Sequence, residues 1–134
     1  MKASRSALLL CATLLLFTAC RPMLQVSLAS EREQLPAPRF VVRDPEFPER
    51  PRYDTVQVMD REGAVFWHLR AAPFGDLASV SSFTYGELPE GFEAVEGPRP
   101  LQPGGRYALF VIGMNRGSLH FDVDREGQVH AVAP

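Results

Sequence analysis

The sequence predicts an all-β domain, a single antiparallel sandwich of about seven strands, set behind an export signal and a tether. Three observations lead there. Beyond Pro38 the apolar residues recur with a period of two, not 3.6. Turn-forming residues separate almost every apolar run from the next. Of the 115 residues that follow Ala19, 22 are Gly or Pro, a share that suits short strands and poorly suits a helical bundle. A chain of this length supplies one small domain.

The N-terminus comes first. Lys2 and Arg5 precede an apolar run of 13 residues from Ala7 to Ala19. A membrane-spanning helix needs roughly 20 apolar residues, so this charged start and short apolar core read as a removable signal. A cut after Ala19 would put Phe17 three residues before the bond, a poor fit to ordinary signal peptidase. Cleavage after Ser27-Leu28-Ala29 offers small residues but lies about ten residues beyond the apolar core. The stretch Phe17-Thr18-Ala19-Cys20 resembles the lipobox of bacterial lipoproteins, Leu-(Ala/Ser/Thr)-(Gly/Ala)-Cys. Thr18, Ala19 and Cys20 match, and Phe17 departs from the usual Leu.

That resemblance implies lipidation at Cys20: a diacylglycerol on the thiol and a third acyl chain on the freed amine. Each buried methylene adds about 0.8 kcal/mol, and two or more chains hold a protein stably on a membrane. Cysteine usage agrees. Cys11 lies inside the signal, so Cys20 is the sole cysteine after it and no internal disulfide can form. Arg21 replaces the Asp that keeps enteric lipoproteins at the inner membrane, which implies the outer membrane, on its periplasmic face.

Residues 20–38 are expected to form a lipid-anchored tether, with Pro22, Pro36 and Pro38 along it and a reach on the order of 50–60 Å. Ser30 and Glu33 have capping-box spacing for one short helical turn. The sandwich is expected over 39–134. Phe40 and Val42 alternate with Val41 and Arg43. Val56 and Val58 follow the same rule, then Val65, Trp67 and Leu69, then Tyr107, Leu109 and Val111, then Leu119, Phe121 and Val123. Val129 and Ala131 close the chain. Shorter strands are expected at Ser82–Tyr85 and around Phe92–Val95. The number and spacing of these strands resemble the immunoglobulin and fibronectin type III class of sandwich.

Asp60-Arg61-Glu62-Gly63 recurs as Asp124-Arg125-Glu126-Gly127. Gly in fourth place suits a type I turn followed by a left-handed residue. In the second hairpin this turn sets Val123 opposite Val129 and Asp122 opposite His130. In the first it would set Gln57 opposite Trp67, against the apolar phase, so a bulge or a longer loop is expected there.

Chemistry is sparse. After the signal the chain carries a formal charge of −4 and all its cations are Arg. Arg39, Arg43, Arg50 and Arg52 are interspersed with Asp44, Glu46 and Glu49, a mixed-charge surface rather than a phosphate track, so no nucleic-acid partner is expected. His120, Asp122 and His130 share one face of the last hairpin and have the donor types of a metal site, but lack its dense spacing; a solvated Asp–His pair is the simpler reading. Glu87, Glu90, Glu93 and Glu96 lack the calcium-loop pattern. No metal, cofactor or catalytic residue is assigned. Trp67 reads as the large core residue. Phe66, Phe110 and Ile112 fall opposite the apolar phase of their strands, so together they are expected to form an outer patch for docking a partner.

Three segments resemble a group of small lipoproteins and exported proteins of proteobacteria that carries no assigned activity. These are Gly63 to Trp67, Tyr85-Gly86-Glu87-Leu88-Pro89-Glu90-Gly91-Phe92, and Pro100-Leu101-Gln102-Pro103-Gly104-Gly105-Arg106-Tyr107. In the second, Gly86 and Gly91 permit unusual backbone angles, with Leu88 and Phe92 expected to plug an open end of the sandwich. The expected function is that of a lipid-anchored cell-envelope protein, a non-catalytic binding or accessory module with an envelope protein as partner. The alternatives are a structural component of envelope assembly and a metal-dependent enzyme on the His120/His130 face.

Overall fold

Period-two alternation becomes nine strands in the computed structural model, which describes residues 23–73 and 80–134. They are β1 (Gln25–Leu28), β2 (Arg39–Arg43), β3 (Thr55–Asp60), β4 (Val65–Ala71), β5 (Ser82–Thr84), β6 (Phe92–Glu96), β7 (Arg106–Ile112), β8 (Arg116–Val123) and β9 (Val129–Val132). No helix occurs among the described residues. The signal segment, the lipobox-like stretch and Cys20 lie outside them.

The strands form two antiparallel sheets, β1-β2-β5 and β6-β4-β3-β7-β8-β9. Alternation decides which side chains meet between them. Phe40, Val42 and Phe83 from the small sheet face Val56, Val58, Trp67, Leu69, Leu109, Val111, Phe121 and Val129 from the large one, all in one buried cluster. Aromatic rings knit it together. Phe40 lies 5.6 Å from both Phe83 and Phe121, and Trp67 meets Tyr85 edge-on at 5.0 Å. Trp67 is thus the core residue its spacing predicts.

The repeated turns are alike in structure. In each, the Asp carboxylate accepts backbone N–H groups two and four residues on: 3.0 and 2.8 Å from Asp60 to Glu62 and Ala64, and the same distances from Asp124 to Glu126 and Gln128. Gly63 and Gly127 follow at φ of 89° and 86°, a left-handed conformation that strains any side chain. The registers then diverge. Asp122 faces His130 and Val123 faces Val129, as the turn geometry demands. In the first hairpin Met59 faces Val65, but Val58 faces Trp67. One extra residue, Phe66, is inserted in β4 as a bulge. The expected bulge resolves the conflict, returning Val58 and Trp67 to the same inner face.

The sandwich starts earlier than the expected boundary at Arg39. Residues 25–28, expected within the tether, pair with β2 from Gln25 opposite Arg43 to Leu28 opposite Phe40. Leu24 is buried in the core, and its N–H donates to the Arg116 carbonyl at 3.0 Å. Leu24, Val26 and Leu28 alternate as a strand should, and their apolar side chains are lost to water unless they join the sheet. The expected tether is held against the fold beyond β1 as well. Gln34 bridges Gln128, Leu35 N–H donates to the Gly127 carbonyl at 2.8 Å, and Val129 N–H donates to the Glu33 carbonyl at 2.9 Å. What remains between Cys20 and the fold is Arg21 to Met23.

Candidate functional site

Sheet geometry separates the three residues expected to form an outer patch. Phe110 and Ile112 do share the outer face of the large sheet. Phe110 sits in the row His68, Gln57, Phe110, Ser118, and Ile112 in the row Arg70, Thr55, Ile112, Arg116. Both are half-buried, and the Phe110 ring meets His120 edge-on at 6.4 Å. Phe66 does not join them. The bulge turns it out of strict alternation, and it is only 9% exposed. Its ring packs edge-on against Tyr107 at 5.1 Å, with the Arg99 guanidinium 4.4 Å from its centroid. Its carbonyl accepts the Arg99 N–H at 2.8 Å. Phe66 is a fastening point for the segment before β7, and the three-residue patch is reduced to two.

The last hairpin brings its polar residues together in a different combination from the one the strand face suggests. Asp122 and His130 are cross-strand partners, yet His130 Nε2 lies 3.0 Å from Asp124, the carboxylate of the turn. That contact, with the N–H groups of Gln128 and Glu126, holds the Asp124 carboxyl below the usual carboxylate range. One oxygen of Asp122 is buried without a hydrogen-bond partner. No three His, Cys, Asp or Glu side chains converge as a metal site among the described residues. Glu93, from the run of acidic residues, pairs with Arg70.

The loop between β5 and β6 also divides its two apolar residues. Gly86 and Gly91 both hold positive φ, and Phe92 is buried with its ring stacked on Tyr53 at 5.6 Å. Leu88, expected as a second plug, is instead exposed. It lines a cleft of about 530 Å³ on the outer face of the small sheet, together with Arg39, Val41, Ser82, Thr84 and Glu90. Alternation creates this cleft, since Phe40, Val42 and Phe83 turn inward and leave their neighbours outward.

Beneath one rim of the cleft is a feature that the sequence spacing only half reveals. Glu33 is buried and gathers donors: its Oε1 accepts the Arg39 N–H at 2.8 Å and Nε at 3.1 Å, and Oε2 accepts Nη2 at 3.2 Å and the Ser30 hydroxyl. Ser30 and Glu33 therefore meet, as their spacing suggests, but in a turn and not at a helix start. Bonding to Arg39 outweighs the cost of burial and brings the Glu33 carboxyl down to about 2. The same bonding fixes Arg39 in place at the cleft.

Fold and surface together define a β-sandwich with a shallow amphipathic cleft on its small sheet and a mixed apolar and imidazole face on its large one. Compared with known protein families, curated proteins and solved structures, the chain has no significant match. Among the described residues no helix is long and apolar enough to cross a membrane.

Proposed function

We propose that this protein is a lipid-anchored cell-envelope module, held at the outer membrane through Cys20 on the periplasmic side, that binds or assists an envelope partner without catalysing a reaction. The carrying observation is the sequence Phe17-Thr18-Ala19-Cys20 behind a short apolar signal, with Cys20 the only cysteine that survives cleavage. Two structural features support it. The fold takes up the chain at Leu24, directly after the proposed lipid site. The outer faces of its sheets carry half-buried apolar groups, Phe110 and Ile112 on one and Val41 on the other, which suit contact with another protein.

The enzyme reading through His120 and His130 has less support, because His130 is engaged by Asp124 and the third donor, Asp122, stands apart from that contact. The test is fractionation and intact-mass analysis of the full chain expressed in a Gram-negative host. Wild type is expected in the outer-membrane fraction with the added mass of diacylglycerol and one acyl chain. Cys20→Ala is expected to lose both. Wild-type protein that is cut before Ser30 and released unmodified would refute the reading. Cross-linking in the same host, with Phe110→Glu as comparison, would then name the partner.

A further inference from the structure

Lipid attachment at Cys20 fixes the position of one end of the sandwich. Three residues, Arg21 to Met23, separate Cys20 from Leu24, and an extended chain spans at most about 14 Å over those four steps. Each headgroup layer is itself about 5–8 Å deep. Leu24 is immobilised in the core and bonded to Arg116, so the strand ends around it cannot move far from the lipid.

That end is made of particular segments. Gln25 at the start of β1 faces Arg43 at the end of β2, and the 44–52 loop follows. Thr55 at the start of β3 faces Ile112 at the end of β7, so the β7–β8 turn is here too. Close backbone contacts join the pieces. Gly117 abuts the Leu24 carbonyl, and Gly113 abuts Arg52 and Tyr53. Both Asp-Arg-Glu-Gly turns lie at the opposite end, beyond Asp60 and Val123.

Exposed apolar side chains gather at the Leu24 end. Met23 is 66% exposed, Met114 60% and Phe47 42%. Each belongs to a different segment, and each stands at the tip of its segment. Arg43, Arg50 and Arg116 are exposed around them, and the Arg52 guanidinium lies 3.7 Å from the Phe47 ring centroid. Glu46, 3.6 Å from Arg52, and the exposed Glu49 share the same loop, so the charge at this end is mixed. It is the apolar tips, with long arginine stems beside them, that suit the boundary between acyl chains and headgroups, where the apolar part enters and the charged groups stay in the headgroup layer.

The geometry points to a second membrane contact: the end of the sandwich formed by Met23, the Phe47 loop and the Met114 turn rests in the phospholipid headgroup layer, with the strands rising from it. This rests on lipidation at Cys20 and adds the orientation of the anchored domain.

The test uses the full chain, processed and lipidated in the host, then reconstituted into vesicles of equimolar phosphatidylethanolamine and phosphatidylglycerol. Met114→Cys and Glu62→Cys variants carry an environment-sensitive fluorophore; lipidation blocks the Cys20 thiol, so each label reports one position. The Met114→Cys label is expected to be quenched by a lipid-borne nitroxide and to lose quenching by aqueous iodide. The Glu62→Cys label, on the far turn, is expected to show the reverse, and Phe47→Cys to repeat the Met114→Cys pattern. If the protein floats with the vesicles and carries its lipid mass, yet iodide reaches both ends equally, the seating is refuted and the anchor stands. That outcome would leave the apolar tip to a protein partner. If Cys20 carries no lipid and the protein stays in the aqueous fraction, the anchor is refuted and the seating falls with it.

Discussion

Replacing Glu33 with Gln removes one charge from a nearly closed hydrogen-bond set and should destabilise the fold in a pH-dependent way. In the folded chain the Glu33 carboxyl is held at about 2, against an ordinary value of 4.5. A depressed carboxylate contributes stability that is fully present above its unfolded value and disappears as pH falls through its folded value. The window therefore runs from about pH 4.5 down to about pH 2. Full linkage over that interval would be about 3.4 kcal/mol. Arg39 is 60% exposed, and solvent screening at such a site reduces the contribution to about 1–2 kcal/mol. The assay is thermal unfolding followed by the fluorescence of Trp67, the single tryptophan and a core residue. At neutral pH Glu33→Gln should lower Tm by roughly 4–10 °C. The gap to wild type should close as pH falls from 4.5 towards 2. A gap that is constant across that range would show that shape, not charge, is what Glu33 contributes.

The bulge in β4 makes a contrast between two phenylalanines. Phe66→Ala should cost about 2–4 kcal/mol in urea unfolding, because its ring fills the space between Tyr107 and Arg99. Phe110→Ala, on the half-buried outer face, should cost less than about 1 kcal/mol; equal costs would mean that the two share an environment. Gly97→Ala should be worse than its small size suggests. Gly97 holds φ of 78°, and an added Cβ would lie 2.2 Å from the Phe66 carbonyl oxygen. Strain and clash together should cost about 2–4 kcal/mol, read as a lowered urea midpoint. In the β5–β6 loop, Phe92→Ala should cost about 3 kcal/mol and Leu88→Ala under about 0.5 kcal/mol. Similar losses at both positions in thermal unfolding would return Leu88 to the core.

Alternation made the strands readable, since each inward set must be apolar and each run is bounded by Gly, Pro or Asp. It also made the second hairpin register readable, because identical turn residues impose identical pairings. The first hairpin differs only by an insertion. The clash of phases between Gln57 and Trp67 signalled it but could not say which side chain would be displaced. Reading Phe66 as an outer residue assumed unbroken alternation, which is the one thing a bulge abolishes. β1 was carried by only three apolar residues, Leu24, Val26 and Leu28, and nearby prolines suggested a linker. Its strand character depends on the waiting edge of β2, a tertiary fact. Glu33 shows the same limit. Spacing links it to Ser30, but Arg39 reaches it only because the chain between them reverses over the last hairpin.

Uptake of the chain at Leu24 also changes what the proposed anchor would allow. A tether of 50–60 Å would leave the domain free to search the periplasm in any orientation. A link of three residues, Arg21 to Met23, permits little more than tilting about one end. With strands of up to eight residues standing on that end, the far turns rise roughly 25 Å above it. Both sheet faces then run up from the membrane and remain open to a partner, and so does the cleft at Arg39, whose strand partner Thr84 lies at the far end of β5. A partner approaching along the membrane would meet Phe110 and Ile112 on one side and Val41 on the other, without displacing lipid. Lengthening the link between Cys20 and Leu24 by ten Gly/Ser residues should therefore leave lipidation and stability unchanged but weaken partner cross-linking, because a fixed orientation concentrates those faces at one height. Cross-linking that is indifferent to the insertion would mean that the anchor supplies location alone.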